Sequence, residues 1–344
     1  MIQRIAVICD NAPIIMSALL QIRNLSVSFD ADEGRIRAVE DVSFDIEEGE
    51  VLGLVGESGC GKTVTALSIL RLVPSPPGRI ESGEILFRGT DLLQLPAADL
   101  RRIRGQAISM VFQDPMTALS PLHRIGHQLV ETLQLHQKIS RRAAWALGVE
   151  WLGKVGIPAA AERMHAYPHH LSGGMRQRVM IAMALMLEPA LIIADEPTTA
   201  LDVTIQLQIF RLLLDMKDRS TSVLLITHDM GVVWEMCRRV VVMYAARLVE
   251  EGPSDDVFPR PAHPYTQGLL RSMPSAQSKG VRLETIPGQV PSPGMYPAGC
   301  RFSDRCPHVF SRCRATEPPL YAVGAERRAA CFLLDQARKS GGAA

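Results

Sequence analysis

The chain has 344 residues, 47% hydrophobic and 21% charged, with 37 Lys+Arg against 36 Asp+Glu. This composition excludes a disordered or collagen-like chain, and the length suits two domains or one large domain with an appendage. A formal net charge of +1 lacks the basic excess with which nucleic-acid binders neutralise phosphates, so no nucleic-acid partner is expected.

No stretch approaches the roughly 18 consecutive apolar residues of a membrane span, and the most apolar N-terminal segment is interrupted by Asp10, Asn11 and Pro13. Met16 opens a second start-like stretch, so residues 1–15 read as a dispensable N-terminal extension, a start-site artefact being one reading. From about 20 to 46, apolar and polar residues alternate through Ile22, Leu25, Val27 and Phe29, then Val42, Phe44 and Ile46, with Asp30 to Gly34 between them. Alternation of period two predicts antiparallel strands. The short apolar run 50–55 is followed by glycines and then by helical spacing over Thr63–Leu72, which Pro74, Pro76 and Pro77 are expected to stop. Residues from about 119 to 187 read as mainly helical, while Leu191–Ala194 and Val223–Thr227 are continuous apolar runs suited to a buried parallel sheet. From Pro259 to Pro297, eight prolines mark a loop-rich tail, and a domain boundary is expected near 265–285.

Gly56-Glu57-Ser58-Gly59-Cys60-Gly61-Lys62-Thr63 fits G-x-x-x-x-G-K-[ST] and lies between an apolar strand and a helix, where that motif must lie. Its glycines let backbone N–H groups converge on phosphate oxygens, and the helix N-terminus adds a favourable dipole. Lys62 is suited to the β- and γ-phosphates, and the Thr63 hydroxyl to Mg²⁺. Cys60 reads as a small residue in a variable slot, with a reactive thiol as the alternative. At the carboxyl end of the run 191–194, Asp195 suits the Mg²⁺ shell and Glu196 suits polarising the attacking water.

Further segments carry a family resemblance. Leu171-Ser172-Gly173-Gly174-Met175-Arg176-Gln177-Arg178 is similar to the signature of ATP-binding cassette (ABC) ATPases, and it lies about twenty residues before Asp195-Glu196. Gln113 in Met110-Val111-Phe112-Gln113-Asp114-Pro115 resembles the Q-loop glutamine, and Ala200-Leu201-Asp202 resembles the D-loop. His228, after Val223–Thr227, resembles the switch histidine; Phe29 stands where the adenine-stacking aromatic would fall, or is a core strand residue. The resemblance spans about 20–255. It implies an α/β fold of the ABC-type P-loop NTPase kind: a RecA-like core, an antiparallel β subdomain, a helical signature subdomain at about 115–188, and a small Cys-rich C-terminal extension. The expected division is an extension at 1–16, a nucleotide-binding domain at 17–265 and a Cys-rich domain at 266–344.

The family also implies ATP and Mg²⁺ (Thr63, Gln113 and Asp195 as ligands) and head-to-tail dimers in which Ser172, Gly173 and Gly174 of one subunit complete the γ-phosphate cradle of the other. Tyr167-Pro168-His169-His170-Leu171 through Leu185 and His263-Pro264-Tyr265-Thr266 resemble the ATPases of dipeptide, oligopeptide and nickel importers. That implies a subunit peripheral on the cytoplasmic face of the bacterial inner membrane, powering two separate permease subunits that receive cargo from an extracellular or periplasmic solute-binding protein. The wording around Met175 resembles members paired with a second, non-identical ATPase; a homodimer is the runner-up. A soluble ABC ATPase acting on nucleic acid or ribosomes is the alternative function, and a cassette that binds ATP without turnover is opposed by intact Lys62, Asp195, Glu196 and His228.

Seven cysteines, an odd number without a secretion signal, do not suggest a disulfide framework. Four of them, Cys300, Cys306, Cys313 and Cys331, fall within 32 residues where uniform scatter would place fewer than one. Four thiolates suit either tetrahedral zinc or a [4Fe–4S] cluster. The absence of C-x₂-C pairs argues against an ordinary zinc ribbon, and the tail resembles the C-terminal extension of peptide-importer ATPases, which implies the cluster; zinc stays open.

Overall fold

A computed structural model describes residues 18–32, 34–114, 118–197, 203–217, 220–273 and 285–335. In chain order the main elements are β1 (Ala18–Ala31), β2 (Gly34–Glu47), β3 (Val51–Val55), α1 (Lys62–Ile69), β4 (Gly78–Phe87), β5 (Thr90–Asp91), α2 (Ala97–Ile103) and β6 (Ile108–Val111). They continue with α3 (Ile125–His136), α4 (Arg141–Lys154), α5 (Gly173–Leu185), β7 (Leu191–Asp195), α6 (Val203–Met216), β8 (Ser222–Thr227) and α7 (Met230–Met236). The last are β9 (Arg239–Tyr244), β10 (Arg247–Pro253), α8 (Pro264–Arg271), α9 (Ser311–Ala315), β11 (Tyr321–Ala322) and β12 (Arg328–Ala329). The chain divides into two compact units, one of Met1–Asp91 with His228–Ala344 and the other of Leu92–Thr227. The N-terminal extension lies outside the described residues.

In the first unit, β2-β1-β4-β5 form an antiparallel sheet. The predicted alternation sets its register: Leu20, Ile22, Leu25 and Val27 stand opposite Ile46, Phe44, Val42 and Val39, and all eight are buried. Each such side chain contributes about 1.5–3 kcal/mol by leaving water. A second group of strands pairs β3 parallel to β9, then β9, β10, β12 and β11 antiparallel in that order. Leu52, Leu54, Val55 and Val240–Met243 are fully buried, which is why these strands read as continuous apolar runs. The proline-rich tail therefore contributes two short strands, β12 paired with β10 and β11 with β12. Arg327, just before β12, donates to Glu250 Oε1 from Nη2 at 2.7 Å, both side chains being buried. The Glu250 carboxylate also accepts the N–H groups of Ala262 and His263 at 2.8 and 2.9 Å, so this buried charge is fully engaged.

Helix α1 stops sooner than the prolines suggest. Its last residue is Ile69, and Arg71 adopts a left-handed φ of 49°, so the turn that ends it precedes Pro74.

The second unit holds three parallel strands in the order β6-β7-β8, all of whose residues are buried. The remaining residues between 118 and 187 are mostly helical, as the spacing predicts. Ser140 caps α4 by accepting the Ala143 N–H at 3.3 Å, and Ser172 caps α5 in the same way through Met175 N–H, satisfying donors a helix start leaves free. Among the described residues no helix is long and apolar enough to cross a membrane.

Candidate nucleotide site

Strand β3 delivers the glycine-rich loop and α1 receives it. Gly56, Gly59 and Gly61 have φ of 152°, 79° and 106°, values that an L side chain adopts only with strain. Space forbids a side chain as well: a Cβ at Gly56 would lie 2.2 Å from Met243 O, and one at Gly61 2.3 Å from Ala38 O. The helix begins at Lys62 with no acidic residue in its first turn, so its positive end is uncompensated. Lys62 is only 4% exposed, and its Nζ donates to the carbonyls of Gly56 at 2.8 Å and Glu57 at 3.1 Å. The ammonium is thereby held over the loop that is to take phosphates. Thr63 follows, half-buried, and Ser58 and Gly59 are exposed at the mouth.

Cys60 is fully buried. Burial pushes its thiol above the ordinary range although the Lys62 charge acts the other way, which makes it a small packing residue in place of a reactive thiolate. Phe29 is half-buried on β1, opposite Ile36 and Gly78.

Two neighbours of the loop escaped the motif. The Tyr265 hydroxyl accepts the Glu57 N–H at 2.8 Å, and Arg305 grips the Glu57 carboxylate with both terminal nitrogens, at 2.6 and 3.0 Å. Burial works against the Arg305 charge, but Glu57 and Tyr244 together more than offset it and hold the guanidinium above its usual value. Tyr265 is quoted in the phrase 263–266 and Arg305 adjoins Cys306; nothing in their sequence positions links them to the loop.

In the second unit, Asp195 is the last residue of β7 and 2% exposed. Glu196 adopts a left-handed φ of 42°, its N–H donating to Ile226 O at 2.9 Å. Such a conformation costs on the order of 1–3 kcal/mol in a non-glycine residue and is typical of working sites. Gln113, just beyond β6, donates from Nε2 to Glu196 Oε2 at 3.2 Å, so two residues that are 83 positions apart are joined. Ser172 and Gly173 are exposed at the start of α5, whose first turn also lacks an acid. His228 is exposed, next to Asp229, whose side chain caps α7. Asp202 lies outside the described residues.

The six described cysteines are free thiols. Cys300, Cys306, Cys313 and Cys331 all line one small cavity with Phe302 and Phe332. Burial first, then the neighbouring cysteines, push the Cys300 thiol up to about 12 and the Cys331 thiol up to about 11. This is a soft donor set of the kind that suits zinc or an iron–sulfur cluster, although among the described residues no three His, Cys, Asp or Glu side chains are already grouped as ligands of one ion.

Parallel strands, the glycine-rich loop with its buried lysine and the capped signature helix together define a P-loop ATPase of the ABC class. Comparison with known proteins narrows it. The ABC transporter family profile matches residues 39–199, and that of the oligopeptide/dipeptide transporter C-terminal region matches 249–313. A probable peptide ABC transporter ATP-binding protein of Sinorhizobium fredii is 50% identical over 91% of this chain and 94% of its own length. The oligopeptide transport ATP-binding protein OppD of Salmonella typhimurium is 48% identical over 93% and 95%. Among solved structures, a dimeric ATP-binding cassette in a post-hydrolysis state with ADP and Pi matches with TM-score 0.61 and 27% identity, covering 68% of this chain and 98% of that one. The chain belongs to the family of ATP-binding subunits of peptide ABC transporters, and it binds and hydrolyses ATP.

Proposed function

We propose that this subunit powers the import of peptides or related small solutes through two separate permease subunits, to which it is bound peripherally on the cytoplasmic face of the inner membrane. The match of residues 249–313 to the oligopeptide/dipeptide transporter C-terminal region carries this reading. Lys62, the helix end and the amides of Gly59 to Thr63 bind the β- and γ-phosphates, Phe29 stacks on the base, and Glu196 polarises the attacking water with Gln113 orienting its carboxylate. Thr63, Gln113 and Asp195 supply hard oxygen donors for Mg²⁺, which neutralises charge on the phosphates when bound. His228 senses the γ-phosphate, and Ser172, Gly173, Gly174 and Asp202 serve the facing subunit of a head-to-tail dimer. We favour a second, non-identical ATPase as that partner.

Proteoliposomes containing the chain, its permeases and the second ATPase test the reading, with a labelled tripeptide and its solute-binding protein as probes. ATP-dependent uptake that stops without this chain is the expected result. Hydrolysis indifferent to the permeases, with salt-sensitive nucleic-acid binding, would move the assignment to a soluble ATPase.

We also propose that Cys300, Cys306, Cys313 and Cys331 hold a [4Fe–4S] cluster, with zinc as the alternative; their convergence on one cavity supports it. A segment so short and proline-rich has little core of its own, so a metal would stabilise it substantially. Anaerobically purified protein is expected to carry about four iron and four sulfide per chain, and Cys306→Ser to lose them. One zinc without iron selects the alternative, and neither metal removes the proposal.

A further inference from the structure

Glu57 carries a charge of the same sign as the ligand its loop is to hold. It is a carboxylate inside a loop that must accept a polyanion, at a position the phosphate-loop motif leaves unspecified. Its negative charge would repel the phosphates at close range, and the one cation in the loop, Lys62, is turned to the carbonyls of Gly56 and Glu57.

The masking comes from the C-terminal segment. Arg305 forms a two-pronged pair with the Glu57 carboxylate, and its Nε donates to Pro287 O at 3.0 Å, which fixes the plane of the fork. The guanidinium lies 5.7 Å from the Tyr244 ring and 6.0 Å from the Phe302 ring, so it is oriented by packing as well as by charge. Tyr265 takes the Glu57 N–H, and together the two side chains hold both polar ends of this residue.

A second position of the loop, Cys60, is tied to the same segment one step removed. Cys60 O accepts the Ala246 N–H at 3.1 Å, and the neighbouring Ala245 carbonyl accepts from the buried Arg301 side chain, which also pairs with Glu40. Arg301 directly follows Cys300 and Arg305 directly precedes Cys306. Both supports therefore issue from the segment that carries the cysteine cavity.

We infer that Arg305 is a positioning residue of the phosphate loop: it neutralises and pins Glu57 so that the loop stays open to a nucleoside triphosphate, with Arg301 steadying Cys60 indirectly through residues 245 and 246. The inference rests on the nucleotide-binding reading of residues 56–63. It makes the cysteine-bearing segment a working part of the ATP site. Because an unmasked Glu57 would repel bound ATP in ground and transition states alike, the loss should fall on KM and leave kcat largely unchanged.

The test measures MgATP affinity and steady-state kinetics on the full-length chain for Arg305→Gln, Arg305→Lys, Glu57→Gln and the double variant Arg305→Gln/Glu57→Gln, with thermal melting and metal content recorded for each. Arg305→Gln is expected to weaken ATP binding about tenfold, the order of effect of one unmasked carboxylate repelling the phosphates in partly solvated surroundings. With Glu57→Gln as the reference, the double variant should recover most of the affinity that Arg305→Gln loses, because removing the carboxylate removes the repulsion. A merely structural role for Arg305 predicts no such rescue. Should Arg305→Gln fail to fold, Arg305→Lys decides: a single point charge without the fork should bind ATP about threefold more weakly, and wild-type affinity would overturn the inference. Unchanged affinity in Arg305→Gln, or a double variant as weak as the single, would overturn it too. Lys62→Ala separates the two levels. If it also binds ATP normally, the phosphate-loop reading itself fails; if it binds weakly while Arg305→Gln does not, only the role of Arg305 fails.

Discussion

Replacing Glu196 with Gln is expected to slow steady-state ATP hydrolysis by at least about 100-fold, the usual contribution of a positioned general base, while ATP affinity stays near wild type. The substitution preserves size and hydrogen-bonding shape. What it removes is the negative oxygen that Gln113 orients at 3.2 Å and with it the capacity to polarise water. Glu196 sits in a left-handed conformation with its amide bonded to Ile226 O, so the backbone places the side chain and the variant should fold normally. Single-turnover hydrolysis alongside equilibrium ATP binding checks this, and ATP should trap the variant as a closed dimer. Near-normal turnover would remove Glu196 from the role.

Lys62→Ala is expected to act one step earlier, on binding itself. The ammonium is almost wholly buried and bridges two carbonyls of the loop, so the variant loses a phosphate ligand and a brace of the loop together. A hydrogen bond to a charged group is worth about 1.5–3 kcal/mol, which corresponds to ATP binding roughly 10- to 150-fold weaker. Isothermal titration with ATP and Mg²⁺ reads this directly, and an unchanged dissociation constant would contradict the assignment.

Much of this site is legible in the sequence because its chemistry is local. The loop 56–63 carries glycines, lysine and threonine at fixed offsets, and the runs 191–194 and 223–227 announce buried strands through continuous apolar residues. What stays hidden depends on distant partners. Glu57 reads as an arbitrary loop residue until Arg305 is beside it, and no periodicity marks that pair. The end of α1 at Ile69 is invisible against the louder prolines that follow. Strands β11 and β12 are two residues each, too short for alternation to register, so a tail read as loops turns out to extend the strands next to β10. The four cysteines stood out by density alone; only the fold could say that they share a cavity.

The separation between Glu57 and Arg305, 248 residues along the chain, has a consequence for biosynthesis. At roughly 5–20 residues per second on the ribosome, the phosphate loop leaves the exit tunnel about 10–50 s before the arginine that braces it does. Throughout that interval the nascent chain carries a glycine-rich loop with an unmasked carboxylate, poorly suited to capture ATP. If Arg305 masks Glu57 as inferred, full nucleotide affinity is acquired late, once residue 305 has emerged and docked, and a nascent chain that has not reached it binds ATP about tenfold more weakly.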